Sequence, residues 1–523
     1  MVHLSLTRIL GSIFVCIILI YEVNSQSAFS AGLSSIQSSD LSQHLHILAS
    51  DSFAGRGTGT TGQHKAAAYL AQQFQSIGLM PGNPENKTAP YYQPMELVEK
   101  RWEKVILQSS QKDYIFLKDF YAYGDIQLPE LTTMEIVVAG YGIDDPNYSD
   151  YTRLNVQSKA VILFPGEPFK DGKSLLTGTK ESSYWANDWR AKAQVALNKG
   201  ASAVFFVTGK TDEEFYKRLY SIKDHLNQPV IGFTHKKRAS AFFIPPSMAA
   251  ALVKTTNAKL LQYTTGLAQR SSKYPFKKNQ ITAQVKVIEK KLPTENVIAY
   301  IPGSLYPEEV IILTAHYDHL GIENNQIYYG ADDDGSGTAA LIEIAQAFQI
   351  AANLGHRPLR SIVFMPVTAE EKGLMGSEYY TDKPLFSLSN TVANLNIDMI
   401  GRMDTLHTDS KYVYIIGSNR LSSALHEINE QANRESENLL LDYRYNTTDD
   451  PNRFYFRSDH YNFAKNGIPV IFYFCGVHKD YHQPTDTVEK IDFTKMMWIT
   501  RLVYTTAWKL ANAEQRIQLD VKK

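Results

Sequence analysis

The stretch GADDDGSG, residues 330–337, sets Asp332, Asp333 and Asp334 side by side. Like charges repel, so three neighbouring carboxylates in a folded chain need something to offset them. Taken alone, an aspartate at the start of a helix reads as an N-cap, favoured by the helix dipole. Other ionisable residues change that reading. His316, Tyr317, Asp318 and His319 follow the apolar run VIILTA. Glu370 and Glu371 follow SIVFMPVTA, and Asp398 lies in NLNIDMIGR. His478, Asp480, Tyr481 and His482 follow IPVIFYFC. Each has a bland reading by itself: a structural histidine, a cap, a solvated turn. Converging on one rim, imidazoles and carboxylates suit one or two borderline metal ions, zinc better than magnesium or calcium. Asp332, Asp334, Ser336, Gly337 and Glu343 also match the ligand spacing of a calcium-binding loop. Such a loop needs a helix before it, and here a strand and a polar loop precede it, so the match is read as accidental.

Convergence requires a scaffold. From residue 295 onward the pattern is strand, loop, helix, repeated. VIILTA, SIVFMPVTA, VANLNIDMI, YVYIIG and IPVIFYFC read as strands, and residues 337–353 and RLSSALHEINEQANRES as helices. Continuous apolar strands alternating with helices indicate an α/β fold with a largely parallel sheet. Sites in such sheets form beyond the carboxyl ends of the strands. Every one of these strands except 411–416 delivers an ionisable group to that edge. Upstream, Ala67, Leu70, Phe74 and Ile77 recur at helical spacing, with Thr61 as N-cap and Gly78 as the stop. Residues 131–245 read as a separate unit of strands and helices, without a His/Asp/Glu cluster, hence a binding or lid unit. Ser247 is placed to cap a further helix there. The polar, Lys-rich stretch 253–294 bridges back to the main domain.

Composition is that of a globular protein, with 44% hydrophobic and 20% charged residues. At 523 residues, two or three domains are expected. A net charge of −1 carries no electrostatic footprint for nucleic acid. Residues 1–25 have the three-part pattern of a secretory signal peptide, with cleavage after Ser25. The apolar run there falls short of the roughly 20 residues that span a bilayer. The mature chain is thus expected to be secreted or periplasmic, with no stable membrane span. Its one remaining cysteine, Cys475, cannot form an intrachain disulfide and reads as a small hydrophobe in a strand. Oligomeric state stays open.

The motifs AHYDHLG, GADDDGSG, AEEKGLMGS, NIDMIGR and DYHQPTDT, in that order over about residues 295–490, resemble the co-catalytic zinc exopeptidases. This is the superfamily of the secreted bacterial aminopeptidases, glutamate carboxypeptidase and the transferrin receptor. Residues 131–245 resemble the protease-associated domain often inserted in these enzymes. The resemblance implies a mixed, largely parallel central sheet with helices on both faces, plus an inserted β-rich domain. It divides the chain into a signal peptide (1–25), the N-terminal part of the peptidase domain (26–130), the insert (131–245) and the main catalytic domain (246–523).

It also implies roles. His316 and Asp398 bind one zinc, Glu371 and His482 the other, and Asp333 bridges both. Glu370 is the general base, Tyr481 helps bind the oxyanion, and Asp318 orients His316. Ser458, Asp459 and His460, in RSDHYNFAKNGIP, line the site. Asp332 serves the loop, Asp334 caps the following helix, and the Asp333–Asp334 peptide is cis. Two zinc ions sharing a water would lower its pKa toward neutrality. Glu370 and Glu371 can differ in task because consecutive side chains of an extended segment point apart. The implied activity is an aminopeptidase acting on peptides. A carboxypeptidase or dipeptidase, a one-zinc glutaminyl cyclase, and a non-catalytic receptor share the scaffold. The direction depends on which terminal charge the site anchors.

Overall fold

The computed structural model describes residues 26–234, 236, 238–265 and 275–521. Residues 1–25, where a signal segment is expected and Cys16 lies, fall outside the described residues. The chain divides into two compact units, Met1–Glu96 with Leu292–Lys523, and Leu97–Lys291.

The first unit is built on an eight-stranded sheet. In chain order its strands are β1 (Met80–Pro81), β2 (Ala299–Ile301), β3 (Tyr306–His316), β4 (Arg360–Val367), β5 (Thr391–Ile397), β6 (Tyr412–Ile416), β7 (Leu440–Asp442) and β8 (Val470–Phe474). Their spatial order is β1-β2-β4-β3-β5-β8-β6-β7. The central strands β4, β3, β5 and β8 are mutually parallel, whereas β6 runs antiparallel to β8. That reversal explains why 411–416 brings no ionisable group to the shared edge: its carboxyl end lies at the opposite side.

Burial on both faces accounts for the continuous apolar runs. Ile311, Leu313 and Ala315 of β3 enter one core cluster, and Val310 and Ile312 enter another on the opposite face. Each such aliphatic side chain contributes roughly 1.5–3 kcal/mol by leaving water. The first face is covered by helices α1 (Ser38–Leu48), α2 (Thr61–Ile77), α3 (Gly337–Asn353) and α6 (Phe493–Asn512), the second by α4 (Met375–Asp382) and α5 (His460–Lys465). Helix α2 is capped by Thr60 rather than Thr61: the Thr60 side chain accepts from the Gln63 N–H, and Gly78 closes the helix at φ 94°. The residue one earlier wins because it keeps extended backbone, at φ −97° and ψ 166°, while Thr61 already sits in the first turn.

The second unit is wider than 131–245. It carries most of a nine-stranded sheet in which the long strands Tyr92–Ser109 and Gln280–Val297 are neighbours, and Gln280–Val297 pairs in turn with Thr132–Gly140. The strands outside 131–245 complete this sheet, which is why the polar stretch 253–294 belongs partly to the unit and is not a linker. Ser247 does not cap: the helix there begins at Pro246 with Pro245 before it, so proline supplies the start instead. Among the described residues, no group of His, Cys, Asp and Glu that could hold a metal ion falls in this unit. No helix of the described residues is long and apolar enough to cross a membrane.

Helix α3 enters the first unit tightly. A Cβ on Gly337 would lie 2.5 Å from both the Asp334 Oδ1 and the Ile397 carbonyl oxygen. Gly337→Ala is therefore expected to cost about 1–3 kcal/mol by overpacking, read as a lower denaturant midpoint. An unchanged midpoint would show that the helix start can yield.

Candidate metal centre

The four parallel strands bring their following residues to one place. His316 is the last residue of β3, Asp398 directly follows β5, and Glu370 and Glu371 follow β4 within a turn. His482 lies beyond β8. His316 Nε2 stands 3.1 Å from Asp333 Oδ1, 3.6 Å from Asp398 Oδ1 and 4.0 Å from Glu370 Oε2. On the other side, His482 Nε2 stands 3.0 Å from Asp333 Oδ2 and 3.3 Å from Glu371 Oε2. Asp333 thus faces both histidines, one with each oxygen.

The aspartate triplet separates into distinct tasks. Asp332 Oδ1 accepts from the Gly401 N–H at 2.6 Å, and its Oδ2 meets His478 Nε2 at 3.2 Å. Asp334 lies within ligand distance of His316 and Asp398. Its oxygens are already taken by backbone N–H groups of Gly337 (2.9 Å), Met399 (3.2 Å) and His316 (3.1 Å). Asp334 therefore holds the start of α3 and the ends of two strands together. Asp333 is the carboxylate left with an unbonded buried oxygen. The Asp333–Asp334 peptide is cis. Gly330, before the triplet, is at φ 55°, and a Cβ there would meet the Asp333 carbonyl at 2.2 Å and the His319 ring at 2.5 Å.

Glu370 and Glu371 diverge because the chain turns, not because it is extended. Ala369 is left-handed at φ 55°, and the Glu370 carbonyl accepts from the N–H groups of Gly373 (2.8 Å) and Leu374 (2.9 Å). Asp318 does not orient His316 with its carboxylate. The His316 Nδ1 hydrogen-bonds the Asp318 backbone carbonyl at 3.0 Å, while the carboxylate stands 3.9 Å away. That carboxylate accepts instead from Thr58 Oγ1 (2.6 Å) and the Glu370 N–H (3.1 Å), so it ties the base-bearing turn to the strand carrying His316. Ser458 touches the centre through Asp398, donating to its Oδ2 at 2.6 Å. Asp459 accepts from Ser377 and His460 stacks on Phe472 at 4.7 Å, so both are packed behind the site and do not line it. The short helix that starts at His460 turns them inward toward the sheet.

Two contributors carry no assigned role in the motifs, although His319 stands among the residues that follow VIILTA. His319 is fully buried, with Nδ1 2.8 Å from Glu371 Oε1 and 3.8 Å from Asp333 Oδ2. The spacing HYDH, three residues after His316, is its only signal. Arg457 lines the pocket beside Tyr481, where its neighbours Ser458 to His460 were expected. Nothing in the sequence distinguishes it from other exposed arginines.

Electrostatics follow from burial. Burial pushes the Glu370 carboxyl up, and nearby Glu371, Asp459 and Asp398 add to that, so it stands well above the usual range. Burial and Asp333 also push Glu371 up, but His319 and His482 overrule them and bring it to about 2. Burial lowers His482, yet hydrogen bonds to Asp333 and Glu371 raise it to about 10. Asp333 Oδ2, Glu371 Oε1 and both ring nitrogens of His319 are buried without a hydrogen bond despite their short separations. One ligand atom from each of His319, Asp333 and Glu371 lies within 4.8 Å of the other two. That is the donor set of a divalent cation, nitrogen and carboxylate oxygen, and the residues fit such an ion.

Residues 296–507, which contain all of these groups, match Peptidase family M28. A probable leucine aminopeptidase of Arthroderma otae is 30% identical over 44% of this chain and 62% of its own length. A probable zinc metalloprotease of Pyrenophora teres f. teres is 26% identical over 47% of this chain and 59% of its own. The match thus spans about six tenths of these curated relatives. Among solved structures, an aminopeptidase from Aneurinibacillus sp. strain AM-1 superposes with a TM-score of 0.53 at 19% identity, covering 94% of this chain and 97% of that one. That superposition establishes the shared α/β fold. The matched segment carries the entire cluster at the sheet edge, and over that segment this chain is similar to Peptidase family M28.

Proposed function

We propose that the chain is an exported zinc-dependent exopeptidase, an aminopeptidase that removes N-terminal residues from peptides. The observation that carries this reading is Asp333, facing His316 with one oxygen and His482 with the other, with Glu370 beside this set. The names of the relatives above, a leucine aminopeptidase and a zinc metalloprotease, support it. His316, Asp398 and Asp333 would hold one zinc ion, and Glu371, His482 and Asp333 would hold the other. When bound, the two ions supply Lewis acidity and bring a water's pKa toward neutrality.

The chain's own groups do the rest. Glu370 takes the proton of the attacking water on its carboxylate and delivers it to the leaving amine. Its N–H bond to Asp318 and its place at the head of a turn keep it beside the cluster and off the shared point. The Tyr481 hydroxyl donates to the developing oxyanion. Burial, then Asp333 and Glu371, raise its pKa, so it stays a proton donor at neutral pH. Tyr481 stacks on His482 with ring centroids 3.9 Å apart, which fixes its aim. Ser458 holds Asp398, and His319 holds Glu371. We further read the Leu97–Lys291 unit as the protease-associated insert and residues 1–25 as the signal that exports the chain.

Chelation is expected to abolish peptidase activity, and zinc to restore it; full activity in the chelated protein would exclude a metal mechanism. Glu370→Gln should retain zinc yet lower kcat by at least about 100-fold. Wild-type turnover by that variant would remove Glu370 as the base. His319→Ala is expected to weaken binding of one zinc about 10- to 100-fold in a competition titration with a chromogenic chelator. Unchanged affinity for both ions would leave His319 a packing residue. Free-amine peptides should be cleaved and N-blocked ones spared; the reverse pattern would exclude aminopeptidase action.

A further inference from the structure

A pocket lies over the centre. Its walls are apolar, formed by Met399, Phe454, Phe472, Phe474 and Val477, and its acidic floor is the cluster already described. Among the described residues that line it, Arg457 alone is a permanent cation. Its guanidinium has no carboxylate partner among the described residues. Three other arginines of this unit are engaged: Arg402 pairs with Asp480 at 3.0 Å, Arg360 with Glu309 at 2.6 Å, and Arg56 is spent on backbone carbonyls.

Arg457 is nonetheless held in place. Its N–H bonds the Phe454 carbonyl at 3.0 Å, and its guanidinium lies 5.0 Å from the Phe454 ring centroid. The next residue, Ser458, is fastened to Asp398. The Arg457 Nη2 donates to the Tyr481 hydroxyl at 3.4 Å. In the reading above, that hydroxyl meets the oxygen of the scissile carbonyl. A group one residue further along an extended peptide lies about 3.5 Å beyond that carbonyl. At that distance Arg457 meets whatever the residue after the scissile bond carries. Guanidinium recognises carboxylate bidentately and retains its charge at any working pH.

We infer that Arg457 reads the free carboxylate of the residue after the scissile bond, so that dipeptides are the preferred substrate class. The inference rests on the exopeptidase reading and settles which terminal charge, besides the amine, the pocket anchors. An apolar first side chain fits the aromatic wall, and the carboxylate of the second residue fits the guanidinium.

The test compares kcat/KM of the full-length zinc enzyme for Leu-Phe and for Leu-Phe amide, in the wild type, Arg457→Gln and Arg457→Lys. The wild type should favour the free carboxylate about 10- to 100-fold, mostly through KM. Arg457→Gln should erase that ratio, and Arg457→Lys should restore part of it. Arg457 is exposed, so neither variant threatens the fold. Equal rates on the two substrates in the wild type overturn the inference and leave the exopeptidase reading standing. So does a preference that survives in Arg457→Gln, even if both rates fall, because Arg457 then serves Tyr481 alone. Hydrolysis of neither substrate by the wild type sinks both readings.

Discussion

A carboxylate removed from water is costly unless something takes the place of its hydration. Asp318, Asp332, Asp333, Asp334, Asp398, Asp459 and Asp486 are all buried in one neighbourhood. The architecture around them is organised by that constraint. Backbone N–H groups satisfy Asp334, and Asp486 Oδ2 accepts from the N–H groups of Asp332 and Asp333 at 3.0 and 3.2 Å. Hydroxyls serve Asp318, Asp398 and Asp459. Arg56, wholly buried, adds a cation: it donates to the carbonyls of Leu48, Tyr317, Tyr329 and Gly330, and its charge is felt by Asp333, Asp334, Asp318 and Asp486. Once these are counted, what remains unsatisfied is confined to Asp333, Glu371 and His319 at the centre, together with outlying atoms such as Asp459 Oδ2 and Asp486 Oδ1.

The same economy explains why the N-terminal segment FAGRGTG matters although it carries no candidate ligand. Arg56 and Thr58 reach across from it, one to the loop before the triplet and one to Asp318. Gly57 forms a bridge with His319, and the His319 N–H bonds the Arg56 carbonyl at 3.1 Å. This segment fixes the backbone that carries the histidines. A buried charge network of this sort is sensitive to the loss of any one partner, since the others are then left uncompensated.

Much of this was legible in the linear chain. Parallel strands buried on both faces leave a continuous apolar signature, and whatever follows each of them must gather at one edge. The residues His316, Asp333, Glu370, Glu371, Asp398 and His482 could be chosen on that ground with the motifs they sit in. The division of labour in the triplet was legible too. Less so were Asp318, whose carbonyl and not its carboxylate meets His316, and Asp459 with His460, which a short helix turns behind the site. Strand ends predict which residues arrive, and they leave open which atom of each residue faces the cluster. The compact unit Leu97–Lys291 extends beyond 131–245 for a related reason: a sheet is closed by pairing between strands distant in sequence, and Tyr92–Ser109 and Gln280–Val297 carry no local mark of that partnership.

The sequence by itself determined the fold class, the edge on which ionisable groups collect and the residue types available there, because hydrophobic period and strand order are local properties of the chain. Tertiary structure alone decided that His319 joins Glu371, that Arg56 lies beneath the acidic loop, and that Arg457 meets Tyr481 with no carboxylate partner among the described residues. Those contacts join positions far apart in the chain or turn on the direction of a single side chain. Their energy arises only when desolvation forces each charge to find a partner, and no spacing along the chain records which partner it finds.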